Sequence, residues 1–208
     1  MRTTTPNNTR QSRVDDESLH SVAHSKSQQD EKKRGSFSWS SAPFGEVEPI
    51  IDRYRGIAEL ETTYNGQEVC LALWGCGNME NLEANLPFFW EVVDKYAELY
   101  QASKKAIVEY YDNDEDEYYA IKNFFYELFS YKDEKTLIEV FGVKELEQFD
   151  IKTFVDKMSC PDLTIYFNYG MDVCLFYKAS PLEDFEDYVL CVTMDKNLNI
   201  KGFSAVFD

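Results

Sequence analysis

Apolar positions along this chain change period twice, and each change marks a new kind of element. Ala58 and Leu60, then Val69, Leu71 and Leu73, alternate with polar neighbours on either side of Tyr64-Asn65-Gly66-Gln67. Asn-Gly between two such runs predicts a β-hairpin, because both residues tolerate the positive φ of a type I′ turn. Trp74-Gly75-Cys76-Gly77 then predicts a tight exit from the second strand. From about Leu86 to Tyr111 the spacing moves to steps of three and four, through Phe89, Val92 or Val93, Tyr96, Leu99 or Tyr100, Ala106 or Ile107 and Tyr110. That period predicts a helix with one buried stripe, Pro87 near its start, and Glu91 and Lys95 paired on its outer side. Tyr118, Ile121, Phe124 or Phe125, Leu128 and Phe129 predict a second amphipathic helix. Residues 133–158 read as short helical pieces broken at Gly142.

The period then returns to two. Leu163, Ile165 and Phe167, then Val173, Leu175 and Tyr177 after a Tyr169-Gly170 turn, then Tyr188, Leu190, Val192 and Met194, each alternate with their neighbours. Asp195-Lys196-Asn197 turns into a last run from Leu198 to Phe207. Consecutive strands joined by short turns predict an antiparallel meander. Strands, helices and strands again, without regular βαβ alternation, predict an α+β fold: an N-terminal hairpin, a helix pair and a C-terminal meander forming one sheet packed on helices.

Ahead of this pattern lies a polar segment whose only notable apolar residues are Val14, Leu19, Val22 and Ala23. Such a segment buries too little surface to offset its chain entropy. The expected organisation is a disordered arm over residues 1–43 and one domain over 44–208, with order setting in around Phe37, Trp39 and Phe44. Lys32-Lys33-Arg34 reads as part of a solvated linker, since Asp30-Glu31 precede it.

Charge sharpens the division. Of 21 Lys and Arg, seven fall in residues 1–45, and of 38 Asp and Glu, five fall there, which leaves 14 against 33 in residues 46–208, a balance of −19. So anionic a domain argues against nucleic acid and anionic lipid as ligands, because both rely on Lys and Arg meeting phosphate. It suits a basic protein partner. Both histidines, His20 and His24, lie in the arm, so the domain has no imidazole for a nucleophile-base pair or a metal site. Cys70, Cys76, Cys160, Cys174 and Cys191 form no C-x-x-C pair, which predicts buried free thiols in a reducing compartment. With no leader-like apolar stretch at Met1 and no run of about 20 apolar residues, the expectation is a cytoplasmic protein.

Two acidic clusters are the candidate partner-binding residues: Asp112, Asp114, Glu115, Asp116 and Glu117, and Glu183, Asp184, Glu186 and Asp187. The first resembles the opening of a calcium loop, but Glu117 stands where that loop needs glycine and Asn123 where it needs a bidentate glutamate. An acidic start to the helix that follows answers the pattern better. Trp74-Gly75-Cys76-Gly77 fails as a dinucleotide fingerprint because Glu80 replaces its third glycine. Tyr110, Tyr111, Tyr118 and Tyr119 bracket the first acidic run, and their helical spacing assigns them to the core. No catalytic, metal or cofactor residues are assigned. The alternative, a carboxylate- or divalent-metal-dependent hydrolase, requires several of these acids to converge in a cleft.

Phe44-Gly45-Glu46, Tyr54-Arg55-Gly56, the Asn65-Gly66 hairpin into Val69-Cys70-Leu71-Ala72-Leu73, the helix pair and the meander closing on Asp195-Lys196-Asn197-Leu198 carry a resemblance. Over residues 44–208 the chain resembles a group of small acidic bacterial domains of unknown function, some encoded beside polymorphic toxins. The resemblance implies an immunity-protein role, with a basic protein such as a nuclease toxin as partner, and no catalytic residues.

Overall fold

Asn65 and Gly66 take φ values of 51° and 79°, the pair of positive angles a type I′ turn needs. Across that turn Tyr64 pairs with Gln67, so strands β4 (Ile57–Tyr64) and β5 (Gln67–Trp74) form the expected hairpin. The computed structural model describes residues 37–113, 120–131, 133–178 and 188–207. Ahead of the hairpin, β1 (Trp39–Ser41) and β2 (Gly45–Val47) make a separate antiparallel ribbon, and β3 (Ile50–Asp52) adds to β4. Among the described residues, regular structure begins at Trp39, ahead of residue 44.

The first helix differs from the sequence expectation. Helix α1 runs Met79–Asp94, seven residues earlier at its start than Leu86, and Pro87 lies in its interior rather than its first turn. Interior proline removes one helical hydrogen bond and costs about 3 kcal/mol. A local cap and tertiary burial together outweigh it. Asn78 caps the helix by accepting the Asn81 N–H at 2.9 Å, and Leu82, Leu86, Phe89, Trp90, Val92 and Val93 are all buried, each large apolar side chain contributing about 1.5–3 kcal/mol. Helix α2 (Tyr96–Asn113) follows after the single residue Lys95. The Lys95 ammonium bonds Glu91 Oε1 at 2.7 Å, the predicted surface pair.

Helices α3 (Ala120–Tyr131), α4 (Glu134–Phe141) and α5 (Ile151–Lys157) complete the helical layer. Gly142 ends α4 in the left-handed conformation at φ 74°, the break expected there. Phe125, Phe141, Phe149 and Phe154 meet with ring centroids 4.8–5.6 Å apart, and Tyr111 stands edge-on to Phe125. Tyr110 packs on Phe203 at 4.8 Å. Tyr118 and Tyr119 lie outside the described residues.

The meander forms as β6 (Asp162–Tyr166), β7 (Asp172–Lys178), β8 (Tyr188–Met194) and β9 (Ile200–Phe207), each antiparallel to the next. What joins it to the hairpin is a parallel pairing of β5 with β6, with Leu71 opposite Leu163 and Leu73 opposite Ile165. The five described helices all lie in the connection between those two strands. One seven-stranded sheet results, ordered β3-β4-β5-β6-β7-β8-β9, and the fold is α+β.

Strand parity divides the sheet into two faces. Ala58, Leu60, Val69, Leu71, Leu73, Leu163, Ile165, Val173, Leu175, Tyr177, Leu190, Val192 and Met194 share one face and are buried. The Tyr177 hydroxyl on that face hydrogen-bonds Ser103 Oγ of α2, and the Tyr96 hydroxyl donates to the Pro161 carbonyl at 2.6 Å. This is the helix-covered face, and the core lies between the two layers.

Candidate interaction surface

The opposite parity builds the outer face. The register places Ile50, Glu59, Ala72, Thr164, Cys174, Thr193 and Gly202 in one row across all seven strands. A neighbouring row runs Trp74, Tyr166 and Asp172. Ala72, Cys174 and Cys191 are buried here, whereas Ile50 is 64% and Trp74 42% exposed. Glu61 and Glu68 are exposed as well. Tyr169, just beyond β6, is 73% exposed and stands edge-on to Tyr166. Large apolar side chains left in solvent beside charges are the usual constitution of a contact surface.

Charge on this face is lopsided. Toward β6, β7 and β9, Lys178 pairs with Asp162 at 3.1 Å and Lys201 with Asp172 at 2.6 Å. Toward β4 and β5, Glu59, Glu61 and Glu68 have no Lys or Arg partner among the described residues. Cys70, which sits between them, registers the resulting field. Burial pushes its thiol pKa up first, and Asp162, Glu59 and Glu61 push it further, against the lowering effect of Lys178. A strip of unneutralised carboxylate therefore borders the exposed Ile50 and Trp74.

A concave feature lies elsewhere, between α2 and α5. Gln101, Lys104, Lys105, Val108, Glu109, Lys152, Val155 and Asp156 line an open groove of about 560 Å³. Its carboxylates engage lysines rather than each other: Asp156 meets Lys104 and Glu109 meets Lys105, both at 3.5 Å. Among the described residues, no group of three or more His, Cys, Asp or Glu is placed to hold a metal ion.

Of the candidate residues read from the sequence, Asp112 falls within α2 rather than ahead of the following helix. Asp114, Glu115, Asp116, Glu117, Glu183, Asp184, Glu186 and Asp187 lie outside the described residues. Sequence reading missed Glu59, Glu61, Glu68, Ile50 and Trp74 as a surface. The signal was present in the alternation of Glu59 and Glu61 with Ala58 and Leu60. That alternation tells which residues share a face, but not that β3, with Ile50, would be laid beside them.

Cys76, Cys160, Cys174 and Cys191 are buried and Cys70 half-buried, all as free thiols. No described helix is long and apolar enough to cross a membrane. Comparison of the chain with protein-family models, with curated proteins and with solved structures finds no match.

Proposed function

We propose that this chain is a cytoplasmic binding protein that docks a basic protein partner on the outer face of its sheet. Trp74 and Ile50 serve as apolar anchors, and Glu59, Glu61 and Glu68 supply the charge that selects the partner. One observation carries the reading: a strip of carboxylates without Lys or Arg partners among the described residues, beside two exposed apolar side chains on the face opposite the helices. A buried aromatic anchor commonly contributes most of an interface's energy, and opposite charge raises encounter rate and rejects wrong partners. The acidic runs at 112–117 and 183–187 add to the negative charge of the domain. The resemblance to acidic bacterial domains, some of them immunity proteins, extends the proposal to a nuclease toxin, whose phosphate-binding site carboxylates would occupy.

The test is capture on the immobilised full chain at low salt, with Trp74→Ala and the double variant Glu59→Lys/Glu61→Lys in parallel. The expected result is a basic protein retained by the native chain, released as salt rises, and bound at least about tenfold more weakly by each variant. Retention of the same proteins by all three chains would overturn the assignment of this surface.

A further inference from the structure

Two cysteines on the outer face stand in an arrangement that packing alone does not require. Cys174 on β7 lies opposite Thr193, and Cys191 on β8 lies opposite Phe176. The two cysteines are therefore diagonal neighbours across an antiparallel pair, pointing to the same side. The Thr193 hydroxyl sits between them, 3.8 Å from Cys174 Sγ and 3.7 Å from Cys191 Sγ. We infer that Cys174 and Cys191 form a peroxide-sensitive dithiol, in which Cys174 is the attacking sulfur and Cys191 the resolving one.

The surroundings treat the two sulfurs differently. The neighbouring Cys191 thiol lowers the Cys174 pKa, helped by Thr193 and by the charge of Lys201, against the opposing effects of burial and Asp172. Cys191 is pushed up, first by the Cys174 thiol and then by burial. The two sulfurs are thus pulled in opposite directions, and Cys174 is the one moved toward the form that attacks peroxide. Cys70, Cys76 and Cys160 are all pushed up, each chiefly by burial.

The chemistry balances as follows. The Cys174 thiolate attacks one peroxide oxygen, an S–O bond forms, the O–O bond breaks, and the departing hydroxide takes a proton to leave as water. Cys174 is then a sulfenic acid, oxidised by two electrons. Cys191 loses its proton and attacks that sulfur; the S–S bond forms and the S–O bond breaks, releasing the second water. Two thiols and one peroxide become one disulfide and two waters. At 8% and 4% exposure, the pair favours an oxidant as small as peroxide.

Exposure alone predicts the opposite selectivity, since Cys70 is the most accessible of the five thiols. The experiment treats the reduced full chain with equimolar hydrogen peroxide, blocks remaining thiols under denaturing conditions, and maps tryptic peptides by mass spectrometry. The expected product links the peptide over residues 158–178 to that over 179–196, lighter by two hydrogens. Because the first contains both Cys160 and Cys174, fragmentation must place the bond on Cys174. Cys191→Ser should leave a Cys174 sulfenic acid that dimedone traps, and Cys174→Ser should yield no linkage. Cys174 should react at least about tenfold faster than Cys70. Faster oxidation of Cys70, or absence of the Cys174–Cys191 linkage in the native chain, would overturn the inference, and neither result depends on a variant folding.

Discussion

Trp39 lies face to face with Trp90, ring centroids 5.5 Å apart and planes 5° from parallel, while its indole N–H donates to Asp94 Oδ1 at 3.4 Å. This contact fastens the β1–β2 ribbon to α1. Trp39 is 40% exposed and Trp90 only 5%, so the two sides of the stack should respond unequally. Trp39→Ala should cost about 1–2 kcal/mol, the stacking gain plus partial burial. Trp90→Ala should cost about 3–5 kcal/mol, because it also leaves a cavity. Chemical denaturation of the three chains measures both.

Two glycines with similar angles should differ sharply on substitution. Gly56 has φ +62°, and a Cβ there would stand 2.7 Å from both the backbone N and O of Asn78, the residue that caps α1. Gly66 has φ +79° in the hairpin turn and open space around it. Gly66→Ala should cost about 1–2 kcal/mol, the strain of the left-handed region alone. Gly56→Ala should cost at least about 1 kcal/mol more, since backbone must move. Equal midpoints for the two variants in urea would show that the chain at Asn78 yields freely.

Acid stability should depend on two exposed caps. Asp133 accepts the Lys135 and Thr136 N–H groups at the start of α4, and Asp150 accepts the Lys152 N–H at the start of α5. The Thr136 hydroxyl chiefly lowers the pKa of Asp133, and the Thr153 hydroxyl that of Asp150, both from 3.8. Their contribution is present above 3.8 and lost as pH falls through the lowered folded values. Asparagine caps nearly as well and does not titrate in this range. The double variant Asp133→Asn/Asp150→Asn should therefore lose less stability than the native chain between about pH 5 and about pH 2, read as the shift in denaturation midpoint at each pH.

Alkali should act through the buried phenols. Burial raises the pKa values of Tyr96 and Tyr177, and pushes that of Tyr100 up to about 12. Raised folded values mean that stability is complete below the ordinary pKa of 10 and is lost as pH climbs toward the folded values. Spectroscopic titration should show these tyrosines ionising together with unfolding. Tyr96→Phe should cost about 1–3 kcal/mol by stranding the Pro161 carbonyl, whereas Tyr177→Phe should cost about 1 kcal/mol because Ser103 still donates to the Tyr100 carbonyl at 2.9 Å.

Short-range physics made much of this fold readable. Asn65-Gly66 specifies its turn, the glycine at 142 its helix end, and the alternation from Leu163 to Met194 its strands, because each depends on φ preference or on period within a few residues. Pro87 misled for the same reason: a local rule favoured the first turn, while burial of Leu82 and Leu86, a long-range fact, drew the helix back to Met79. The acidic runs drew the eye by density, whereas the outer face depends on parity and register.

The order of residues by itself determined which elements form, which of their sides are apolar, and that the domain carries a strong negative charge. Only the tertiary structure decided that β5 and β6 pair in parallel, which brings Ala72 beside Thr164 and Cys174. It also decided that Cys174 and Cys191 share one hydroxyl, and that among the described residues Glu59 and Glu61 stand without cations while Asp162 and Asp172 find theirs. The reason is physical: turns and periods are set within a handful of bonds, but a neighbour across the sheet is set by how the whole core closes.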